Sequence, residues 1–271
     1  MIIVTLTKNS SNFIGETIAS IEKQTLKNIH WLVIDSNSED NTIDIINKSK
    51  LKKEVIFIKE QGIFPSYNKA YEIIENKNYN DIVFFLHSND IIFDEKTLEK
   101  VENIFKFHNL DVAYGNIVFF KDNINNLIRH WKINLNNKKK IDTLLYQEKD
   151  NLKKDFLLGY SLPHTSFFFN SKIIRNLPKY DENFKICSDY GWIIDLATKT
   201  SLKINFIDII IIKMRVGGLS TNYRSYLPNL YNDFLILKKR FKKFKYINFL
   251  LIITAILKRV KKINQIFNKY N

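Results

Sequence analysis

The stretch Asp81-Ile-Val-Phe-Phe-Leu-His-Ser-Asn-Asp90 decides the fold class of this chain. Its five consecutive apolar residues, 82–86, do not alternate with polar ones, which is typical of a strand buried on both faces of a parallel sheet. A helical spacing of apolar residues begins at Leu98, so the polar segment between is predicted to be a strand-to-helix loop. Ligands of open α/β sheets bind outside the carboxyl ends of the strands. Asp90 is therefore expected where a metal or phosphate ligand is needed, although Ser, Asn and Asp also favour ordinary turns.

The chain before this stretch alternates strands with helices. Apolar strand patterns occupy residues 1–7, 31–34 and 55–58, and a helical pattern follows each of them. Four such strand–helix repeats within about 110 residues indicate βαβ units and a parallel sheet. We therefore predict an α/β fold.

The pattern changes after residue 110. Separate strands are predicted over 112–115, 117–120 and 163–169, and the polar segment 134–140 is predicted to be a mobile loop or lid. Residues 190–197 show a helical pattern, and 202–214 form either a strand pair or one long strand.

Composition limits the class of protein. The chain has 271 residues, a net charge of +14 and 45% hydrophobic residues, so it can bury a core and is expected to attract anionic partners. The lone cysteine, Cys187, excludes an internal disulfide scaffold. The longest apolar segment, about residues 247–257, is too short to span a membrane, and no signal peptide is apparent at the start. We expect a soluble or membrane-surface protein of the cytoplasm.

Several familiar signatures are missing from the sequence. There is no GxGxxG after the first strand, no GxxxxGK[ST], and no His/Cys group with zinc spacing. The five histidines are scattered. Only His164 stands out, because Pro163 precedes it at the start of a predicted aromatic strand.

Polar side chains follow the predicted strands at their carboxyl ends, which meet along one edge of a parallel sheet. Converging carboxylates are costly unless a metal or a donor-rich ligand occupies the site. Hard oxygen ligands suit Mg²⁺ or Mn²⁺ shared with substrate phosphates, and a sugar nucleotide fits that pattern. The residues concerned are Thr5, Thr7, Asp35, Glu60, Asn89 and Asp90.

Six segments resemble motifs of the family 2 glycosyltransferases, in the same order and with similar spacing. Val33-Ile-Asp-Ser-Asn-Ser-Glu-Asp-Asn-Thr42 resembles "IDGGSTDGT", Gln61-Gly-Ile-Phe-Pro-Ser-Tyr-Asn-Lys-Ala70 resembles "xGIYDAMNKG", and Leu86-His-Ser-Asn-Asp90 resembles "LNSDD". Further along, 163–167 is similar to "HQxxF", 184–190 to "F-x-I-x-SDY" and 217–220 to "GG(I/L)S".

The resemblance implies a GT-A nucleotide-diphospho-sugar-binding fold, with a mostly parallel central sheet flanked by helices. It implies inverting sugar transfer by a glycosyltransferase domain over 1–220, with a nucleotide-sugar half (1–110) and an acceptor half (111–220). Residues 221–271 would form a C-terminal basic helical extension.

The same resemblance assigns roles to individual residues. Asp35 would contact the nucleotide base with Thr5 and Thr7, Asp90 would hold Mn²⁺ or Mg²⁺, and Asp189 would be the general base. Asp189 could instead be the N-cap of a helix starting at Tyr190. Pro65 and Glu60 depart from the family pattern at positions expected to contact the donor, and Asn89 replaces a first Asp, which makes the metal site less charged while Asp90 can still hold the ion. The further donor residues are Glu60, Asn68, Asn89 and Arg215, and the acceptor or loop residues are His164, Gly217 and Gly218.

The pattern of the basic segment 230–270 predicts amphipathic helices that would lie on an anionic membrane. Its apolar face could instead pack on the catalytic domain or on another subunit. The expected partners are a nucleotide-diphospho-sugar (UDP-sugar favoured), a glycan or glycolipid acceptor and the inner face of the cytoplasmic membrane, and no nucleic acid. The alternatives are a nucleic-acid-binding protein that uses the basic tail, a sugar nucleotidyltransferase, and an inactive relative in view of Asn89.

Overall fold

A computed structural model of the chain describes residues 1–60, 62–135, 138–148, 153–157, 159–217, 226–241, 253–254 and 256–257. The strands are β1 (Ile2–Thr7), β2 (His30–Asp35), β3 (Lys53–Phe57), β4 (Ile82–Phe85), β5 (Ile91–Ile92), β6 (Val112–Phe120), β7 (Leu127–Trp131), β8 (Lys138–Lys140), β9 (Leu145–Glu148), β10 (Phe168–Asn170) and β11 (Ile204–Arg215). The α-helices are α1 (Ile14–Glu22), α2 (Thr42–Lys48), α3 (Ile63–Asn76), α4 (Thr97–His108), α5 (Lys153–Leu157), α6 (Ser188–Lys199) and α7 (Tyr226–Arg240).

The first half of the sheet is parallel, as the alternation of strands and helices predicted. β1 lies between β2 and β4 and runs parallel to both, and β3 pairs parallel with β2. The apolar stretch of β4 is buried along its whole length. The carboxyl ends of β1, β2 and β4 therefore lie side by side at one edge.

The second half joins the first through a short antiparallel strand. β10 lies between β4 and β6 and is antiparallel to both, while β11 pairs parallel with β6. The order across the sheet is β3-β2-β1-β4-β10-β6-β11-β9-β8. This insertion brings the acceptor half predicted from the sequence beside the end of β4.

Helices cover both faces of the sheet, which gives two cores. Successive side chains of a strand point to opposite faces. Ile2 and Val4 of β1 accordingly pack with side chains of α3, α6 and α7, whereas Met1 and Ile3 pack with side chains of α1, α2 and α4. The predicted α/β architecture is confirmed.

Two strand predictions were wrong here, and a loop prediction, described next, was wrong as well. The two strands expected over 112–120 form the single strand β6, because Gly115 permits a close approach by β11 and does not make a turn. A Cβ on Gly115 would lie 2.5 Å from Cγ1 of Ile211. The strand expected at 163–169 is a 3-10 turn, His164–Ser166, followed by the short strand β10.

Part of the segment predicted as a lid, 134–140, is the strand β8. The Lys138 ammonium is buried against the Glu148 carboxylate and against the hydroxyls of Tyr114 (2.8 Å) and Tyr160 (3.1 Å). These partners replace the water that the sequence alone implied for a Lys- and Asn-rich segment. Residues 136–137 lie outside the described part.

Helix α7 begins the predicted basic extension, and its apolar side chains pack on the α/β fold. Ile236 and Leu237 are fully buried, and Phe241 just after the helix is 4% exposed. Most of the remaining tail lies outside the described residues. Among the helices that the structure describes, none combines the length and the apolar character needed to cross a membrane.

Candidate functional site

Three loops meet at the carboxyl edge of the sheet, as the strand-end pattern predicted. In the parallel register Thr7 is the partner of Asp35, and the peptide N–H of Ser36 donates to the Thr7 carbonyl at 3.0 Å. The loops after β1 and β4 are joined by the hydroxyls of Ser10 and Ser88, which lie 2.8 Å apart. Residues that are distant in sequence therefore form one rim.

Asp35 and Thr7 lie together at this rim, but their polar atoms are used differently. Both carboxylate oxygens of the fully buried Asp35 accept from Ser38, one from its N–H (2.7 Å) and one from its hydroxyl (2.6 Å). The Thr5 hydroxyl oxygen accepts from the indole N–H of Trp31 at 2.9 Å. The buried Thr7 hydroxyl forms no hydrogen bond with any described residue. It is therefore available to a ligand at the rim.

Asp90 is held rigidly at the tip of the loop after β4. Its carbonyl accepts from the Thr17 hydroxyl at 2.8 Å, and Oδ1 accepts from the Arg215 peptide N–H at 3.3 Å. Its side chain is only 1% exposed, and Oδ2 forms no hydrogen bond with the residues that the structure describes. Burial raises the pKa of this carboxyl to about 7, although the Arg215 N–H and charge act in the opposite direction.

A divalent cation fits this carboxylate. A buried oxygen without a donor is the kind of group that Mg²⁺ or Mn²⁺ coordinates, and the ion would favour the ionised form of the acid. Within the described residues, no three or more His, Cys, Asp and Glu side chains form a ligand cluster.

Arg215 contributes its backbone to Asp90, while its side chain faces the first helix. The guanidinium pairs with Glu16 of α1, donates to the Lys121 carbonyl at 3.1 Å and lies over the rings of Phe13 and Phe120. The side chain predicted to contact the donor is therefore engaged within the protein.

An aromatic cluster lies next to Asp90. The Tyr67 hydroxyl and His87 Nε2 are 2.7 Å apart, and the Tyr180 hydroxyl and His164 Nε2 are 2.6 Å apart. Tyr180 stacks on Trp192, with ring centroids separated by 5.6 Å. Burial lowers the pKa of both histidines, that of His87 to about 4, so both imidazoles are neutral at neutral pH. The site thus combines flat apolar surfaces with neutral hydrogen-bonding groups.

Asp189 lies in the first turn of α6 and faces this cluster. Helix α6 begins at Ser188 after a left-handed Cys187 (φ 70°), so the alternative prediction of Asp189 as an N-cap before Tyr190 was wrong. Burial raises the pKa of Tyr67, and the charges of Tyr71 and then Asp189 raise it further. Burial lowers the pKa of His164, and the Asp189 charge opposes that shift. A carboxylate in the first turn is also favoured by the helix dipole.

Other predicted residues lie around this centre. Both ends of the Asn68 amide hold the backbone of Tyr180: Oδ1 accepts from its N–H at 2.8 Å and Nδ2 donates to its carbonyl at 3.0 Å. Asn89 is half-buried beside Asp90. Glu60 is half-exposed, 3.9 Å from Lys69 Nζ. Gly217 has a positive φ of 107°, and Gly218 lies outside the described residues.

Sequence reasoning missed the aromatic half of the site, namely Tyr67, His87, Tyr180 and Trp192. One signal was present: His87 replaces the asparagine of the "LNSDD" pattern and stands three residues before Asp90. No comparable pattern marked Tyr180. Its backbone is held at the site by a hydrogen bond to Asn68, which lies more than a hundred residues earlier in the chain.

Comparison with known proteins gives a consistent family assignment. The sequence model described as "Glycosyl transferase family 2" matches residues 2–176. An uncharacterized glycosyltransferase of Methanocaldococcus jannaschii is 26% identical over 219 residues, which cover 79% of this chain and 69% of that protein.

Solved structures share the fold. TarS 1–349 of S. aureus, crystallised with UDP-GlcNAc, aligns with a TM-score of 0.62 and 18% identity over 87% of this chain and 64% of that chain. Glucosyl-3-phosphoglycerate synthase of Mycobacterium tuberculosis, in complex with Mn²⁺, UDP and glucosyl-3-phosphoglycerate, aligns with a TM-score of 0.56 and 15% identity over 88% of this chain and 78% of that chain. This chain therefore spans less than two thirds of the TarS chain.

Proposed function

This chain belongs to glycosyl transferase family 2 and is a glycosyltransferase, and we propose that it transfers a sugar from a nucleotide-diphospho-sugar to an acceptor hydroxyl with inversion at the anomeric carbon. One observation carries the proposal. Asp90, in the loop after β4, has a carboxylate oxygen 3.6 Å from His87, and Asp189, in the first turn of α6, lies near the Tyr67–His164 ring pair, so two carboxylates from different elements border one aromatic cluster. Sugar transfer needs two such carboxylates, one to hold a cation on the leaving-group side and one to accept the proton of the acceptor hydroxyl.

On the donor side, Asp90 would hold a divalent cation and the rim around Thr7 and Asp35 would take the nucleotide. Glu60, Asn68 and Asn89 would line or support the donor pocket, and Arg215 would act through its peptide N–H on Asp90. A UDP-sugar is favoured, since two structures of the same fold contain UDP or UDP-GlcNAc and one of these also contains Mn²⁺. Bound at Asp90, Mn²⁺ or Mg²⁺ would neutralise the charge of the departing diphosphate.

On the acceptor side, Asp189 would be the general base. A carboxylate beside a neutral aromatic pocket can accept the proton of an acceptor hydroxyl as that oxygen attacks the sugar. Inversion requires one such base and no covalent nucleophile. His164, Tyr180 and Trp192 would contact or orient the acceptor, and the loop at Gly217 and Gly218 would border it.

We further propose that the acceptor is a bacterial surface glycan or its lipid-linked precursor. The enzyme would work as a peripheral protein at the inner face of the cytoplasmic membrane. The net charge of +14 supports membrane binding, because each Lys or Arg close to an anionic membrane surface contributes about 1 kcal/mol of attraction. Since α7 buries its apolar face, the membrane contact would fall on the basic residues after 241. Charge reversal of Lys258, Arg259, Lys261 and Lys262 should release the protein from anionic vesicles, and unchanged sedimentation would contradict membrane binding.

A thermal-shift screen of UDP, GDP, CMP and dTDP, each with and without Mn²⁺, tests the donor assignment. A nucleotide present at a hundredfold excess over its Kd stabilises the folded protein by about 2.7 kcal/mol. A Mn²⁺-dependent shift with one nucleotide is expected. No shift with any nucleotide, together with salt-sensitive polynucleotide binding, would favour a nucleic-acid-binding protein instead.

Substitution of Asp189 tests the mechanism. Asp189→Asn should retain UDP affinity and lose about 10²- to 10⁴-fold in turnover, because an amide cannot accept the proton. Near-normal turnover would remove Asp189 from the reaction. Asp122→Asn, on an exposed loop, is the control and should leave turnover unchanged.

A further inference from the structure

His87 stands between the metal-site carboxylate and the aromatic cluster. One ring nitrogen, Nε2, lies 2.7 Å from the Tyr67 hydroxyl, and the other, Nδ1, lies 3.6 Å from Oδ2 of Asp90. Oδ2 is the carboxylate oxygen that accepts no hydrogen bond within the described part of the chain. The imidazole nitrogen and the carboxylate oxygen therefore lie close together at the carboxyl edge of the sheet.

The separation between Nδ1 and Oδ2 is longer than a hydrogen bond and suits two ligands of one cation. Hydrogen bonds between nitrogen and oxygen span about 2.7–3.2 Å. Two ligand atoms that each lie about 2.1 Å from a metal are about 3.0 Å apart at an octahedral angle and about 3.4 Å apart at a tetrahedral angle. The 3.6 Å between Nδ1 and Oδ2 is a few tenths of an ångström longer, which a small rotation of the His87 ring closes.

We propose that His87 Nδ1 is a second protein ligand of the divalent cation at Asp90, and that it makes the site prefer Mn²⁺ or another transition metal to Mg²⁺. This inference rests on the metal dependence proposed above. Imidazole favours transition metals, whereas Mg²⁺ prefers oxygen ligands and retains its waters. The His87 ring also replaces the asparagine of the family pattern, so the preference would be a property of this chain.

The contact with Tyr67 fits this role. When Nε2–H donates to the Tyr67 hydroxyl oxygen, the lone pair is on Nδ1, on the side that faces Asp90. An outer hydrogen bond of this kind commonly fixes the tautomer and the ring orientation of a metal-binding histidine. Tyr67 would therefore be a positioning residue for the metal.

His30 provides a matched comparison within the same chain. Its Nε2 lies 3.4 Å from the Tyr79 hydroxyl and 3.8 Å from Oε2 of Glu54. That carboxylate is 34% exposed and is paired with Lys77, so its charge is already compensated. A tyrosine and a carboxylate near a histidine therefore do not by themselves indicate a metal site. His87 differs because it lies beside the buried Oδ2 of Asp90, which accepts no hydrogen bond from the described residues.

Pulsed electron paramagnetic resonance of the Mn²⁺-loaded, UDP-bound protein tests the proposal directly. A coordinated imidazole nitrogen produces ¹⁴N modulation of the Mn²⁺ signal. We expect this modulation in the wild type and in His30→Asn, and its loss in His87→Asn. Tyr67→Phe should keep it while weakening Mn²⁺ binding. Thermal denaturation of each variant verifies that it is folded.

Binding isotherms give a second readout that does not depend on activity. His87→Asn should lower Mn²⁺ affinity about tenfold or more and change Mg²⁺ affinity less. Bound Mn²⁺ without ¹⁴N modulation, or an equal loss of affinity for both metals, would overturn His87 as a ligand and leave a metal at Asp90 intact. No Mn²⁺ binding to the wild type, with or without UDP, would overturn the metal dependence of the proposed function as well.

Discussion

Replacing Asp90 by asparagine should stabilise the metal-free protein at about pH 8 and leave its stability nearly unchanged at about pH 4. Burial raises the pKa of the Asp90 carboxyl to about 7, whereas an unfolded chain titrates near about 3.9. Between these values the folded protein binds a proton that the unfolded chain does not, so the free energy of unfolding falls as the pH rises. The stabilising contribution of the protonated acid is complete below about pH 4 and is lost as the pH passes about 7.

The size of the effect follows from the pKa difference. An interval from about 3.9 to about 7 corresponds to about 4 kcal/mol, at about 1.4 kcal/mol for each pH unit. Asparagine keeps an acceptor for the Arg215 N–H and carries no charge. At about pH 8, Asp90→Asn should therefore exceed the wild type by up to about 4 kcal/mol, or on the order of 10 °C in Tm.

Urea denaturation with EDTA, from about pH 4 to about pH 8, measures this difference. Only the difference between variant and wild type is interpreted, which removes the titration of other groups. Asp122→Asn is the control, and its difference should stay flat because that side chain is exposed. Equal stability of Asp90→Asn and wild type at about pH 8 would refute the reasoning that burial penalises the ionised carboxylate. When Mn²⁺ and UDP are added, the wild type should gain stability and the variant should not.

The remaining predictions concern packing and the base. Gly191→Ala should destabilise by about 1–3 kcal/mol in chemical denaturation, because a Cβ 2.5 Å from the Arg240 guanidinium would displace it from its hydrogen bonds to the Gly191 carbonyl and to Asp195. Lys138→Met should cost about 3–5 kcal/mol, since it leaves the Glu148 carboxylate buried without its cation. In Asp189→Asn, turnover should fall at all pH values while the Kd for UDP is unchanged, as measured by single-turnover kinetics and calorimetry.

Each of these predictions has a matched comparison. Gly15→Ala is the control for Gly191, since nothing lies within 4 Å of a Cβ there, and it should stabilise by up to about 1 kcal/mol. A destabilisation equal to that of Gly191→Ala would contradict the steric explanation. For Lys138, the double substitution with Glu148→Leu should cost less than the single one, and strict additivity would show that the two charges are not coupled.

Much of the fold could be predicted from local sequence patterns. The unbroken apolar run before Asp90 predicted a strand buried on both faces, and β4 is such a strand. Patterns failed where a long-range contact overrides local chemistry. Gly115 resembles a turn residue but accommodates Ile211, and Lys138 resembles a loop residue but is neutralised by Glu148.

The candidate site divides in the same way. Residues at strand ends, such as Thr7, Asp35 and Asp90, could be predicted to converge because the geometry of a parallel sheet brings its carboxyl ends together. The proximity of Tyr67, His87 and Tyr180 could not, since it depends on side-chain packing across elements that no periodicity records. The roles assigned to the carboxylates remain predictions that the substitutions above test.

By itself, the sequence determined the α/β class, the parallel first half and the position of Asp90 at a strand end. The spacing of apolar residues and the alternation of strands and helices along the chain are local properties that the sequence records. Only the tertiary structure decided that Oδ2 of Asp90 is buried, with no hydrogen bond from the described residues, and that His87 lies 3.6 Å from it. It also decided that α7 closes over α6, with Arg240 bound to Asp195 and to the Gly191 carbonyl. Desolvation and close packing depend on residues far apart in the chain, so they arise only when the whole molecule is folded.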